Sequence, residues 1–173
     1  FVPCFMVGMN RVRVGVIGLG RFGEVHCEAL SGLETVELTA LSTRTDDRLG
    51  ALGARFGVTK LYSDYRDMLA DPEVDAVSVV TMWDQHAAPV LDALAAGKHV
   101  FVEKPMASTT HDCLAMLNAA EASHRVFMVG HICRFNPRYR AAKEAIAAGR
   151  IGKIVSMSSR RNIPAAWTPT ILN

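Results

Sequence analysis

Short runs rich in Val, Ile and Leu alternate along this chain with longer stretches in which apolar positions recur at helical spacing. The runs predict strands at 11–17, 36–42, 60–62, 76–80, 99–102 and 126–130, because β-branched side chains suit a pleated surface. The stretches between them predict helices at 21–30, 46–56, 64–69, 85–96 and 108–123. Ser63 or Asp64 can cap the third helix, and Ser108 or Thr109 the fifth. Gly57 and Gly97 follow helices as C-terminal stops. Residues 76–80, Ala-Val-Ser-Val-Val, read as a strand buried on both faces, since the run is almost wholly apolar. Beyond these, Pro137 and Gly149 bracket a helix over 137–148, and a weak alternation predicts one more strand over 154–160.

Strand and helix thus alternate six times up to Gly130, which predicts an α/β fold built on a doubly wound parallel sheet. The first βα junction is the most informative. An apolar strand runs into Gly18-Leu19-Gly20-Arg21-Phe22-Gly23, and a helical pattern follows at once. Strand, G-x-G-x-x-G, helix is the order of a dinucleotide site, the Rossmann arrangement. Gly18 lets the chain turn off the strand. Gly20 lets a pyrophosphate approach the backbone, and Gly23 lets helix and strand pack closely. Free N–H groups and the positive end of the helix dipole then face the phosphates. Glycines kept for packing in an ordinary βα turn are the competing reading.

Composition narrows the class. Half of the 173 residues are hydrophobic, enough for a sizeable core, and the formal net charge is only +2. With no block of like charge, nucleic acid and membrane surfaces are not expected partners. No apolar run approaches the roughly 20 residues of a membrane span. Cys4, Cys27, Cys113 and Cys133 are scattered without ligand spacing, as are the six histidines, so no metal is expected and a cytoplasmic location with reduced thiols is. The chain starts at Phe1 without Met; its apolar opening lacks the basic region and cleavage site of a signal peptide, and Met9 would be a natural start. Residues 163–173 form no closing element. A fragment open at both ends is therefore expected, with a nucleotide-binding domain over 9–135 and the start of a substrate and oligomerisation domain over 136–173.

Ligands of such sheets bind beyond the carboxyl ends of the strands. There the chain places Ser42-Thr43-Arg44, Thr81-Met82-Trp83-Asp84-Gln85-His86, Glu103-Lys104-Pro105 and His131-Ile132-Cys133-Arg134. An acid after the second strand would hold the ribose hydroxyls of NAD, whereas an Arg accommodates the extra phosphate of NADP. Thr43 and Arg44 stand where that acid would, so NADP is preferred over NAD; Arg44 can equally be a solvated loop cation. Lys104, set between a strand and a proline, can exchange protons if held beside a cofactor, or can simply snorkel over a loop. His86 can hydrogen-bond near the nicotinamide or merely open a helix, and Trp83 can wall a pocket or fill the core.

Together these residues resemble the Gfo/Idh/MocA family, the glucose–fructose oxidoreductase and inositol dehydrogenase group. The matching stretches are Val-Gly-Val-Ile-Gly-Leu-Gly-Arg-Phe-Gly near the start, Ala-Gly-Lys-His-Val-Phe-Val-Glu-Lys-Pro at 96–105, Val-Gly-His-Ile-Cys-Arg-Phe-Asn-Pro at 129–137 and Ala-Gly-Arg-Ile-Gly-Lys-Ile at 148–154. The resemblance implies an NAD(P)-dependent oxidoreductase acting on sugars, cyclitols or related polyols, homo-oligomeric when full length. It places Lys104 on the family's active-site lysine and Glu103 on its supporting acid. Pro105 falls on a proline often preceded by a cis bond, Thr81 and His86 on the nicotinamide pocket, and Arg134 on a basic position near the active site. Two features depart from the family pattern. Met82-Trp83 replaces a common Pro-Asn, and the family's second-domain Asp-x-x-x-His is not in these residues, so the chain alone is expected to bind cofactor but turn over poorly. A non-catalytic NAD(P)-binding sensor and a different Rossmann enzyme are the rival readings.

Overall fold

The computed structural model describes residues 11–160. Six strands, β1 (Val12–Ile17), β2 (Val36–Ser42), β3 (Lys60–Tyr62), β4 (Ala76–Val79), β5 (His99–Val102) and β6 (Phe127–Val129), form one sheet in the order β3-β2-β1-β4-β5-β6. Every pairing is parallel. The helices α1 (Arg21–Ser31), α2 (Asp46–Phe56), α3 (Tyr65–Ala70), α4 (Ala87–Ala95) and α5 (Thr110–Ser123) make the crossovers. The chain winds outward from β1 to β3, then returns to the other side of β1 to place β4. Strand order therefore reverses between β1 and β4, and a crevice opens at their carboxyl ends.

Neighbouring residues of the inner strands serve opposite layers. Ile17, Ala40 and Val79 join Met68, Val90, Leu94 and Met116 under α3, α4 and α5, while Val16, Leu41 and Val80 join Cys27, Leu49 and Leu52 under α1 and α2. Side chains alternate across a strand, so a sheet covered on both faces needs apolar residues at consecutive positions. Burial also pushes the Cys27 thiol up to about 11, which leaves it a small apolar filler. Cys27 and Cys113 are free thiols, and Cys4 lies outside the described residues. No described helix is long and apolar enough to cross a membrane.

Local side-chain chemistry sets most helix ends. The Asp64 carboxylate accepts from Arg66 N–H, and Thr109 Oγ1 accepts from Asp112 N–H, so α3 and α5 begin just after these caps. Gly57 closes α2 with φ of 68°. The expected helix over 85–96 is broken at its start. Trp83–Gln85 forms a 3-10 turn, and α4 begins only at Ala87.

The chain divides into two compact units between His131 and Ile132. The second holds a 3-10 turn at Ile132–Phe135 and α6 (Pro137–Ala147), which Asn136 caps by accepting from Arg138 N–H. The strand expected over 154–160 does not form. A strand exists only by pairing, and the described residues of this unit hold no second strand for it to pair with. Residues 163–173, expected to lack a closing element, lie outside the described residues.

Candidate cofactor site

The crevice at the β1/β4 reversal is a cleft of about 890 Å³. That is near the upper end of the volumes typical of small-molecule and cofactor sites. Its floor is the glycine loop. Gly18 has φ of 94° and donates its N–H to Ser42 O at 2.9 Å; a β-carbon there would meet Thr81 N at 2.7 Å. Gly20 opens α1 in extended conformation with no side chain capping the helix, and a β-carbon on it would meet nothing within 4 Å. A β-carbon on Gly23 would lie 2.0 Å from Gly18 O. Gly18 and Gly23 are thus required by the fold itself. Gly20 is not; its missing side chain leaves open space directly before an uncapped helix N-terminus, a cradle that fits a pyrophosphate.

The structure brings together most of the residues singled out in the sequence. Gly18, Leu19, Gly20, Arg21 and Phe22 line the cleft with Ser42 at the end of β2, Thr43 and Arg44 just past it, Thr81 and His86 beyond β4, and Glu103 and Lys104 beyond β5. Gly23 lies under the loop rather than in the cleft wall. Arg134 belongs to the second unit, on its 3-10 turn. Met82 and Trp83 line the wall and are exposed, so Trp83 is a pocket residue and not core. At the far end Ser63, Asp64, Tyr65 and Arg66, none of them expected from the sequence to meet a ligand, extend the lining past β3. Arg21, Arg44, Arg66 and Lys104 outnumber Asp64 and Glu103 along the lining, a balance suited to an anionic ligand.

Three buttresses shape the cleft. Arg48, in the first turn of α2, donates from Nε to Leu19 O and from Nη2 to Gly20 O at 3.2 Å. Its guanidinium also pairs with Glu24 Oε2 at 2.8 Å, and Arg48 and Arg55 together hold the Glu24 carboxyl below its ordinary range. With its carbonyls occupied from below, the glycine loop is fixed with its cradle facing the cleft.

His86 is fully buried, with Nδ1 2.9 Å from Pro105 O and Nε2 3.1 Å from Thr81 O. Both ring nitrogens thus face backbone carbonyls. His86 lies between the Thr81 turn and the Lys104–Pro105 loop, whose peptide is cis. The ring is held inside the wall because two loops converge on it.

Under the same loop, Glu103 Oε2 accepts from Lys104 N–H at 3.0 Å, and Glu103 Oε1 lies 3.1 Å from His26 Nε2. His26 Nδ1 lies 2.9 Å from Ser78 Oγ. Neither His26 nor Ser78 stood out in the sequence. The available signal was Ser78 itself, a hydroxyl in an apolar strand that is buried and so requires a partner. Lys104 is exposed at the cleft wall.

Comparison with known proteins agrees with this geometry. The profile of an oxidoreductase family with an NAD-binding Rossmann fold, Gfo/Idh/MocA, matches residues 12–131. Myo-inositol 2-dehydrogenase of Thermotoga maritima is 36% identical over 155 residues, covering 88% of this chain and 46% of that protein. Among solved structures, scyllo-inositol dehydrogenase from Lactobacillus casei with bound NAD(H) and scyllo-inositol superposes with a TM-score of 0.84 at 28% identity, covering 94% of this chain and 48% of that one. A 3-ketoreductase from Actinomadura kijaniata in complex with TDP-benzene and NADP gives 0.76 at 30%, covering 84% and 46%. The chain spans about half the length of the curated relatives it matches. On the glycine cradle, the strand reversal and these matches, the chain belongs to the Gfo/Idh/MocA oxidoreductases, the family with an NAD-binding Rossmann fold.

Proposed function

We propose that this chain binds a nicotinamide dinucleotide, NADP in preference to NAD, and serves an oxidoreductase acting on a sugar, cyclitol or related polyol. The observation that carries the reading is the open cradle at Gly20 on the same cleft as Lys104. Names of relatives point the same way, since inositol dehydrogenases and a ketoreductase are among them. They include structures holding NAD(H) and NADP, so the preference rests on Thr43 and Arg44 alone. A Thr and an Arg in place of an acid at this position suit a ribose phosphate.

In this reading the amides of the glycine loop and the α1 N-terminus hold the pyrophosphate, and Thr43 and Arg44 meet the adenosine ribose. Thr81, Trp83 and Lys104 bound the nicotinamide end. When bound, the nicotinamide supplies a hydride acceptor or donor at C4. The Lys104 amine handles the proton of the reacting oxygen, taking it as an alcohol is oxidised and returning it as a carbonyl is reduced. Glu103 holds the Lys104 backbone in place. Residues 136–173 begin a substrate domain, and the 173 residues by themselves bind cofactor with little turnover, because the matched span is about half of each relative.

Titration of the chain with NADPH and NADH, followed by the enhancement of reduced-nicotinamide fluorescence, tests this. Saturable binding of NADPH tighter than that of NADH is expected. Failure to bind either cofactor overturns the reading in favour of a different Rossmann enzyme. Steady oxidation of NADPH with a keto-sugar by these residues would overturn the expectation of low turnover.

A further inference from the structure

The chain Ser78–His26–Glu103–Lys104 links the middle of the sheet to the active-site loop. We infer that His26 is a positioning residue, which orients Lys104 by locking the Glu103 carboxylate that holds the Lys104 amide; the inference rests on the proposed role of Lys104.

Each link has a defined direction. A carboxylate only accepts hydrogen bonds, so the proton of His26 lies on Nε2 and is donated to Glu103 Oε1 at 3.1 Å. Nδ1 then carries a lone pair and accepts the Ser78 hydroxyl proton at 2.9 Å. Oε2, the other oxygen of the same carboxylate, accepts from Lys104 N–H at 3.0 Å. With both oxygens bound, the Glu103 carboxylate cannot rotate without breaking a bond.

Burial gives the chain its rigidity. Ser78 is 3% exposed and the Glu103 side chain 12%, so water does not readily substitute for a lost partner. The ring of His26 also rests against Phe101 of β5, with centroids 5.6 Å apart and planes at 57°. Phe101 lies in β5 and Glu103 is the first residue past that strand, so α1 clamps the end of β5 by both an apolar and a polar contact. His26 meanwhile sits on the helix whose first turn forms the cradle. One helix therefore carries the pyrophosphate cradle at its N-terminus and, one turn further on, the residue that sets the lysine loop. His26 ties the two ends of the cofactor site into one rigid body.

The test uses the whole 173-residue chain, with nitrogen-15 NMR and cofactor titration. Wild type is expected to show His26 as the Nε2–H tautomer, and a Lys104 amide protected from exchange. His26→Gln keeps an N–H near the Nε2 position, whereas His26→Leu removes it. Exchange of the Lys104 amide should quicken about tenfold or more in His26→Leu, and stay within about threefold of wild type in His26→Gln, while amides of β1 are unchanged. Affinity for the reduced dinucleotide should fall about tenfold in His26→Leu, with affinity for ADP-ribose, which lacks the nicotinamide, unchanged. A merely structural role would move both affinities together.

An Nδ1–H tautomer in wild type, an unaltered Lys104 amide in His26→Leu, or equal loss of both ligands overturns the inference. If His26→Leu does not fold, the wild-type tautomer and the Lys104 amide in Ser78→Ala decide, the latter expected to exchange faster. The tautomer and amide readings need no cofactor. A chain that binds no dinucleotide would therefore refute the proposed function while still deciding the placement of His26.

Discussion

A β-carbon on residue 23 would lie 2.0 Å from the carbonyl oxygen of Gly18. That oxygen is backbone at the end of β1 and cannot swing aside, so helix and strand would have to part. Gly23→Ala is expected to destabilise the fold by about 3 kcal/mol, at the upper end of overpacking effects. Gly20→Ala meets only open space at an ordinary φ of −65°. It should leave the melting temperature nearly unchanged while weakening dinucleotide binding at least tenfold, as about 1.4 kcal/mol of lost contact would do. Thermal melts and NADPH titrations of the pair separate the two roles. Wild-type affinity in a folded Gly20→Ala protein would remove the cradle from the site.

Arg48 reaches the glycine loop from below and occupies the carbonyls of Leu19 and Gly20. Truncating it to Ala should loosen the loop with little loss of core packing, because the side chain is 37% exposed. Dinucleotide affinity is expected to drop about tenfold, with stability changed by about 1 kcal/mol. Isothermal titration with NADPH checks this, and an Arg48→Ala protein that binds as tightly as wild type would show that the loop holds its shape unaided.

Cofactor choice should turn on the end of β2. Thr43 and Arg44 line the cleft there, and the Arg44 guanidinium reaches Gln85 Oε1 only at 3.5 Å, leaving it available to a phosphate. Thr43→Asp places a carboxylate where it repels a 2′-phosphate and can bind ribose hydroxyls. The ratio of NADPH to NADH affinity is expected to fall by about tenfold or more, measured by parallel fluorescence titrations. An unchanged ratio would mean that neither residue reads the ribose.

Acid sensitivity should come from the opposite end of the sheet, where the strands begin. The Arg13 guanidinium beside Asp75, with Nη2 2.7 Å from Oδ1, holds that carboxyl down at about 2. Lys60 at 2.7 Å, together with the Glu73 N–H and the Tyr62 hydroxyl, holds Asp71 at about 2 as well. Both carboxyls titrate near 3.8 when unperturbed, so on acidification the unfolded chain takes up protons first. Their contribution is complete above about pH 4 and is lost as pH falls toward 2. Urea midpoints measured across this window should decline, and Asp75→Asn should flatten the decline while lowering stability at neutral pH. A wild-type midpoint constant from pH 4 to 2 would contradict the pairing.

The elements and the cofactor loop were legible in the residue order, because their causes are local. A period of two marks a strand, a helical period marks a helix, and Asp64, Thr109 and Gly57 act on residues only two to five positions away. The glycine loop carries its meaning in six consecutive residues, and Glu103-Lys104-Pro105 in three. By itself, then, the sequence determined the run of strands and helices, the cradle and the lysine loop. It did not determine that 154–160 stays unpaired or that β4 lies beside β1, since pairing depends on a partner far along the chain. Nor did it determine that His26 meets Glu103 across 77 positions, or that Arg48 meets Leu19 across 29. These contacts carry no periodicity and no motif. They arise only when the sheet brings α1, α2 and β5 together, and burial then forces each polar group to find a partner.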